Sequence, residues 1–431
     1  MAKGRSMSEH GVHHGKPGKR PSSHASIPAD WHTRDLIGFC VDSKRAIVDG
    51  PFGSNLKTIH FRDKGVPVIN SSFVTGFSFK PDHYTFVDED LFRREIRSKV
   101  EPGDIVMAKI GARCGSSAIM PQGHAVSILS GNSLKITVDC DRNSNEFVWY
   151  NLVWHYQKNQ FADCRSTGAQ PAISTPLLKK LRLPQPSKRE QDAIAYVLSR
   201  WDICISKTQE LIAAKELRKK ALVQQLLTGK KRLTGFKGVW QHASINSIAS
   251  ELSIKNSKDK KLTVLSCTKH EGLVPSLEYF GRKVFSNDLS TYKVVPRNAF
   301  AYATNHIEEG SIGYQSRYDE ALISPMYTVF KTSKSVNDEF LYSVLKTHKY
   351  VHEYQKRMEG SIDRRGGLRW DEFSKIRVPI PDFVEQTAIV KVLFATSREV
   401  VVLKQKLDLL KEQKRGLMQK LLTGQIRVNH K

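Results

Sequence analysis

Six cysteines are scattered over the 431 residues, at 40, 114, 140, 164, 204 and 267, and no two form a CxxC pair. That spacing argues against a zinc ribbon or a disulfide-built scaffold and fits a reducing cytoplasm. No run of 18 apolar residues occurs, so no helical membrane span is expected. Acidic side chains are scarce beside basic ones, 43 Asp and Glu against 68 Lys and Arg, which leaves a formal charge of +25. Solubility needs far less, so the excess points to a polyanionic partner, nucleic acid first among them. Signatures of catalysis are missing too. There is no Asn-Pro-Pro-aromatic methyltransferase motif, no GxxxxGK(S/T) phosphate loop, no HExxH and no nucleophile elbow. Asp82 and Glu95 lack the lysine spacing of a nuclease carboxylate pair. "DGPFGSN" at 49–55 offers glycines for a phosphate or a tight turn but not the Lys and hydroxyl of nucleotide chemistry. The chain reads as one that binds and positions while another subunit does the chemistry.

What is present is a repeat. "LRLPQPSKREQDAI" at 181–194 returns as "IRVPIPDFVEQTAI" at 376–389, an offset of 195 residues with seven of fourteen positions identical. "LVQQLLTGKKRL" at 222–233 returns as "LMQKLLTGQIRV" at 417–428, at the same offset. Between these anchors no proline interrupts 187–229 or 382–424. Pro186 and Pro381 suit a helix start, and Gly229 and Gly424 suit a helix stop. Apolar residues step by four and three. One series is Ile194, Leu198, Trp201, Ile205, Ile212, Leu222 and Leu226, with Thr208, Lys215 and Lys219 in the same frame. The other is Ile389, Leu393, Val400, Leu403, Leu407, Leu410, Leu417 and Leu421, with Thr396 and Lys414. A heptad held this long predicts a coiled-coil seam, and two such helices in one chain predict an antiparallel pair.

Ahead of each helix lies a block of mixed strands and turns with a helix near its end. Strands are expected in "GVPVINSSFVTG" (65–76), "DIVMAKIGARCGSSAIM" (104–120), "KLTVLSC" (261–267) and "ALISPMYTVFK" (321–331). Helices are expected at 145–160 and 338–358. The expected fold is α+β: two globular α/β blocks, 31–180 and 234–375, separated by spacer helices at 181–233 and 376–428 that form an antiparallel coiled coil. Residues 1–30, with their "HGVHH", read as a disordered head or a cloning remnant. The frame is duplicated closely while the blocks have diverged, as befits two reading heads for two different half-sites on one duplex.

The ordered series "DGPFGSNLK", "GVPVINSSFVTG", "VEPGDIVMAKIGARCGSSAIM", "ISTPLLKKLRLPQPSKREQDAI" and "LLTGKKRL", followed by "LRWDEFSKIRVPIPDFVEQTAI" and "LLTGQIRV", resembles the specificity (S) subunit of type I restriction-modification enzymes over about residues 31–428. The resemblance implies two target recognition domains, a split double-stranded DNA target with a non-specific spacer, and a non-catalytic subunit. It implies two methyltransferase (M) subunits that methylate adenine N6 with S-adenosylmethionine, and optionally two restriction-translocase (R) subunits that use ATP and Mg²⁺. No cofactor is implied in this subunit itself, no metal and no membrane partner, and its implied place is the cytoplasm. One departure is plain: "VVPRNAFAYATNHIEEGSIGY" at 294–314 keeps neither the Pro-Gly-Asp turn nor the "KIGA" pattern.

Candidate DNA contacts in the first block are Ser54, Asn55, Lys57, Asn70, Ser71, Ser72, Lys109, Arg113 and Asn132. In the second they are Lys269, His270, Asn305, His306, Tyr314, Gln315, Ser316, Arg317, Arg365 and Arg369, with Arg364 beside them. Asn pairs with adenine, and Arg or Lys with guanine or phosphate. A turn or core role is the competing reading for each, especially for Tyr314 and Trp370. The rival functional classes are a self-contained nuclease or methyltransferase and an adaptor that joins proteins without reading DNA.

Overall fold

The computed structural model describes residues 27–51, 53–165, 170–257, 260–359 and 367–428, the side chains of Ser54 and Glu359 excepted. The chain divides into two compact units, one of Met1–Ser206 with Asp408–Lys431, the other of Lys207–Leu407. The "HGVHH" stretch, Arg364 and Arg365 lie outside the described residues.

Within the first unit, two four-stranded sheets form the body of the block. One runs in the order Phe86–Val87, Val66–Ile69, Ser127–Leu129, Lys99–Val100; the other Ile47–Asp49, Ser133–Ile136, Ile105–Ala108, Ser117–Ile119. The second unit repeats both orders: Gly272–Pro275, Val264–Thr268, Glu320–Ile323, Lys293–Pro296, and Ala249–Leu252, Tyr327–Thr332, Ala299–Ala303, Ile312–Gln315. Among the described residues the single parallel pair of each block also recurs, Val68 with Ile128 and Val264 with Leu322. The inner strands are apolar on both faces, as in Ala299–Ala303, because sheet and helix cover them from either side. The expected helix at 145–160 spans Asn145–Gln157. The one expected at 338–358 is two, Asp338–Leu345 and His348–Glu359, interrupted at Lys346 and Thr347.

The long helices run Lys188–Leu226 and Phe383–Leu422. Every position of both predicted heptad frames is buried or half-buried, including Thr208, Lys215, Lys219, Thr396 and Lys414, while most neighbours are exposed. Pairing contacts descend one helix as they climb the other. In the first unit Lys414 meets Asp202 at 2.5 Å and Arg427 meets Glu190 at 2.5 Å. In the second, Glu216 meets Lys404 at 2.7 Å, Lys215 meets Glu399 at 2.5 Å and Arg232 meets Glu385 at 2.6 Å.

The repeated anchors have a shared task. Glu190 and Glu385, each with a side chain 2% exposed, open the two helices. Each carboxylate takes a bidentate guanidinium from beyond the end of the other helix, Arg427 on Glu190 and Arg232 on Glu385. Each also accepts an indole N–H at 3.1 Å, from Trp31 and Trp240. The arginine lies over the same indole, 5.5 Å from the ring centre in both units. A buried carboxylate is stable only with its lone pairs filled, and this set fills them. The neighbouring Gln191 and Gln386 accept the backbone N–H of Ser144 and Asn337 and donate to Pro186 and Pro381. Gly229 and Gly424 end the pattern at φ +69° and +72°, and a Cβ there would press on Trp240 or on Pro28 and Trp31.

Candidate nucleic-acid interface

In the first unit the hairpin of Ile105–Ala108 and Ser117–Ile119 carries Lys109 and Arg113 on its turn. The Lys109 ammonium lies 2.9 Å from the Asp49 carboxylate and is 12% exposed, so its charge is already paired. Its backbone N–H donates to the Asn132 carbonyl at 2.8 Å, which sets the exposed Asn132 beside the hairpin. Arg113 is exposed and reaches sideways, donating to the Val74 carbonyl at 3.3 Å and the Thr75 hydroxyl at 3.1 Å. That contact brings the segment with Asn70, Ser71 and the exposed Ser72 to the hairpin. Asn55, exposed, donates to Glu95 at 2.9 Å, and Lys57 is exposed nearby in sequence. Glu95 also pairs with Arg97 at 3.5 Å, and Asp82 accepts the N–H of His83 at 2.9 Å.

The second unit gathers part of its predicted set. Lys269 and His270 are exposed on the turn between Val264–Thr268 and Gly272–Pro275. Asn305 and His306 are exposed on the turn between Ala299–Ala303 and Ile312–Gln315. The Lys346 ammonium donates to the carbonyls of Lys269 and Gly310, each at 2.7 Å, and so joins the two turns. Burial lowers the pKa of this ammonium, while nearby Cys267, itself pushed up to about 12 by burial, works the other way. The Leu368 N–H donates to the Thr304 carbonyl at 2.9 Å, so the exposed Arg369 starts from the same end. Among the described residues, only His306, Glu308 and Glu309 bring three such ligand atoms within 4.8 Å of one another, and two of the three are exposed.

Tyr314, Gln315, Ser316 and Arg317 belong elsewhere. Ala299 pairs with Gln315 and Tyr302 with Ile312, so these residues sit at the far end of the hairpin from Asn305 and His306. Gln315 is 2% exposed; its amide donates to the Tyr318 carbonyl at 2.6 Å and accepts the Tyr318 N–H at 2.8 Å. It shapes the turn and presents nothing to a ligand. The Tyr314 hydroxyl donates to Asn298 at 2.9 Å and faces Asp338, whose pKa burial raises. The exposed Arg317 lies 5.5 Å from the Tyr318 ring. Trp370 packs in the core, 5.4 Å from Phe330.

Sequence reasoning passed over Lys346 and the two clamp indoles. The repeat did mark Glu190, Gln191 and Arg232 with their partners at the 195-residue offset, but Trp31 and Trp240 fall outside that register and gave no signal. It also passed over an apolar strip that the helix pairing leaves uncovered in the second unit, where Phe394, Val401 and Val402 are 65%, 53% and 52% exposed.

Residues 53–217 match the family model described as Type I restriction modification DNA specificity domain. Over 93% of this chain and 95% of the relative, the sequence is 24% identical to the putative type I restriction enzyme MjaX specificity subunit of Methanocaldococcus jannaschii. Among solved structures it is similar to the HsdS subunit from Thermoanaerobacter tengcongensis, with a TM-score of 0.55 and 14% identity over 93% of this chain and 98% of that one. It is also similar to the type I restriction-modification S subunit from M. genitalium, with a TM-score of 0.50 and 16% identity over 92% and 97%. No helix among the described residues is long and apolar enough to cross a membrane.

Proposed function

We propose that this chain is a type I restriction-modification specificity (S) subunit, and that it reads a split DNA target with two unlike recognition domains, 31–180 and 234–375. In this reading the spacer helices at 181–233 and 376–428 pair as an antiparallel coiled coil, and the clamps at Glu190 and Glu385 fix where each domain joins it. The carrying observation is the contrast between conserved architecture and diverged surface. Both blocks have the same strand orders, yet their equivalent hairpin turns read "KIGARCGS" (109–116) and "TNHIEEGS" (304–311). Arg113, Asn132, Asn55 and Ser72 supply donors and acceptors in the first domain, and Lys269, His270, Asn305, His306 and Arg369 in the second. Lys109, already paired with Asp49, positions the hairpin and lends it little net charge.

The subunit is non-catalytic. Two methyltransferase subunits dock on it and supply S-adenosylmethionine chemistry at adenine N6; restriction subunits, where they join, bring ATP and Mg²⁺. The uncovered apolar strip at Phe394, Val401 and Val402 suits such a protein partner, since a long helix seldom leaves large apolar side chains in water without one. Binding of the assembled complex to a randomised duplex library at several salt concentrations tests the reading. The expected outcome is enrichment of one sequence in two parts, with affinity falling steeply as salt rises. Salt-dependent binding with no enriched sequence would leave an adaptor with an unspecific basic surface.

A further inference from the structure

The second block is built so that the strands leaving two of its turns, Gly272–Pro275 and Ile312–Gln315, approach backbone to backbone. A Cβ on Gly313 would lie 2.5 Å from the Leu273 nitrogen and 3.0 Å from the Gly272 carbonyl carbon; a Cβ on Gly272 would meet the Tyr342 hydroxyl at 2.6 Å, at φ +69°. Only glycines permit this approach. The chain then adds a clip. Lys346 follows the helix Asp338–Leu345, at the break before His348–Glu359, and its half-buried ammonium donates to the carbonyls of Lys269 and Gly310 at 2.7 Å each. One carbonyl belongs to the turn with Lys269 and His270, the other to the turn with Asn305 and His306. An ammonium has three donors and no acceptor, so two backbone carbonyls are suitable partners.

The first block joins the corresponding turns differently. There Arg113, from the hairpin turn itself, donates to Val74 and Thr75, a short strand in the segment that follows Val66–Ile69. In the first domain the joining side chain is thus also an exposed candidate for DNA contact. In the second, the joining side chain lies beneath the turns and the candidates are other residues.

We propose that Lys346 is a positioning residue for recognition of one half-site only, holding the two reading turns of the second domain in mutual register without itself touching DNA. This rests on the reading of the two blocks as separate recognition domains. A register error between two groups that contact neighbouring base pairs weakens discrimination more than it weakens phosphate contacts, which position but do not specify.

The test uses the S subunit assembled with its methyltransferase partners and duplexes altered at single base pairs in each half-site. Lys346→Met, nearly isosteric but without donors, is expected to reduce discrimination at the second domain's half-site by about tenfold and leave the first domain's half-site unchanged. Lys346→Arg, which restores a cationic donor, is expected to recover part of it. If Lys346→Met fails to assemble, Lys346→Gln keeps an N–H donor on a shorter neutral arm and carries the same half-site-restricted expectation. Equal loss at both half-sites, or full discrimination retained at the second, overturns the proposal while the two-domain reading stands. A wild-type complex with no two-part preference overturns that reading, and the role of Lys346 with it.

Discussion

At residue 190 and again at 385 a buried glutamate is held by an arginine from beyond the other helix and by an indole N–H, at 2.5, 2.8 and 3.1 Å in the first unit and 2.6, 2.6 and 3.1 Å in the second. The hairpin turns at 109–116 and 304–311, in the same topological place, share only their closing Gly-Ser. The clamp must satisfy a charge out of water, and few residue sets do that. The turn must only close a hairpin, which Gly115 and Gly310 accomplish at φ +95° and +89°, and everything between is free to differ. Where physics tolerates one solution the halves agree; where it tolerates many they have diverged, and that tolerant place is where specificity can reside.

The comparison is broken most directly at the seam. Leu198 and Leu393, 195 residues apart, are 0% and 7% exposed. Leu198→Ala and Leu393→Ala should each cost about 3 kcal/mol, with the former slightly worse, as measured by chemical denaturation of the complex. Effects confined to one of the two would contradict their equivalence. Next come Glu190→Ala and Glu385→Ala, expected to cost about 2 kcal/mol each. The loss falls below that of an orphaned buried charge because the arginine left behind is partly solvated. Arg427, whose pKa is raised first by its hydrogen bonds to Glu190 and then by those to Asp30, keeps the Asp30 partner, so Glu190→Ala should be the milder of the two. The smallest effect belongs to the divergent surface. Arg113→Ala should lower discrimination at the first half-site by about tenfold with little change in melting temperature, read by binding to single-base variants. No change in either affinity or base choice would remove Arg113 from the interface.

Much of this frame was legible in the sequence. Heptad spacing located a stripe that proves protected at every position, including Lys215 and Lys414, because a lysine stem covers apolar surface while its ammonium reaches an acid at the rim. The strand positions were legible from short β-branched runs between glycines. The break at Lys346–Thr347 was not, because "DEFLYSVLKTHKYVHEYQKRM" keeps its helical composition across it and only the tertiary contacts of Lys346 mark the interruption. The separation of Tyr314–Arg317 from Asn305 and His306 was hidden for a similar reason. Polar residues next to Gly313 look like a loop, yet Gln315 ends a strand and its amide is spent on the turn that follows.

Single-molecule sequencing of methylated adenines in cells with and without this chain tests the central claim most directly. Two unlike reading heads held at a set separation predict one class of gene-dependent methylated sites, each a pair of dissimilar short sequences with a constant spacer. A single contiguous motif, or a pair whose spacer varies from site to site, would contradict it.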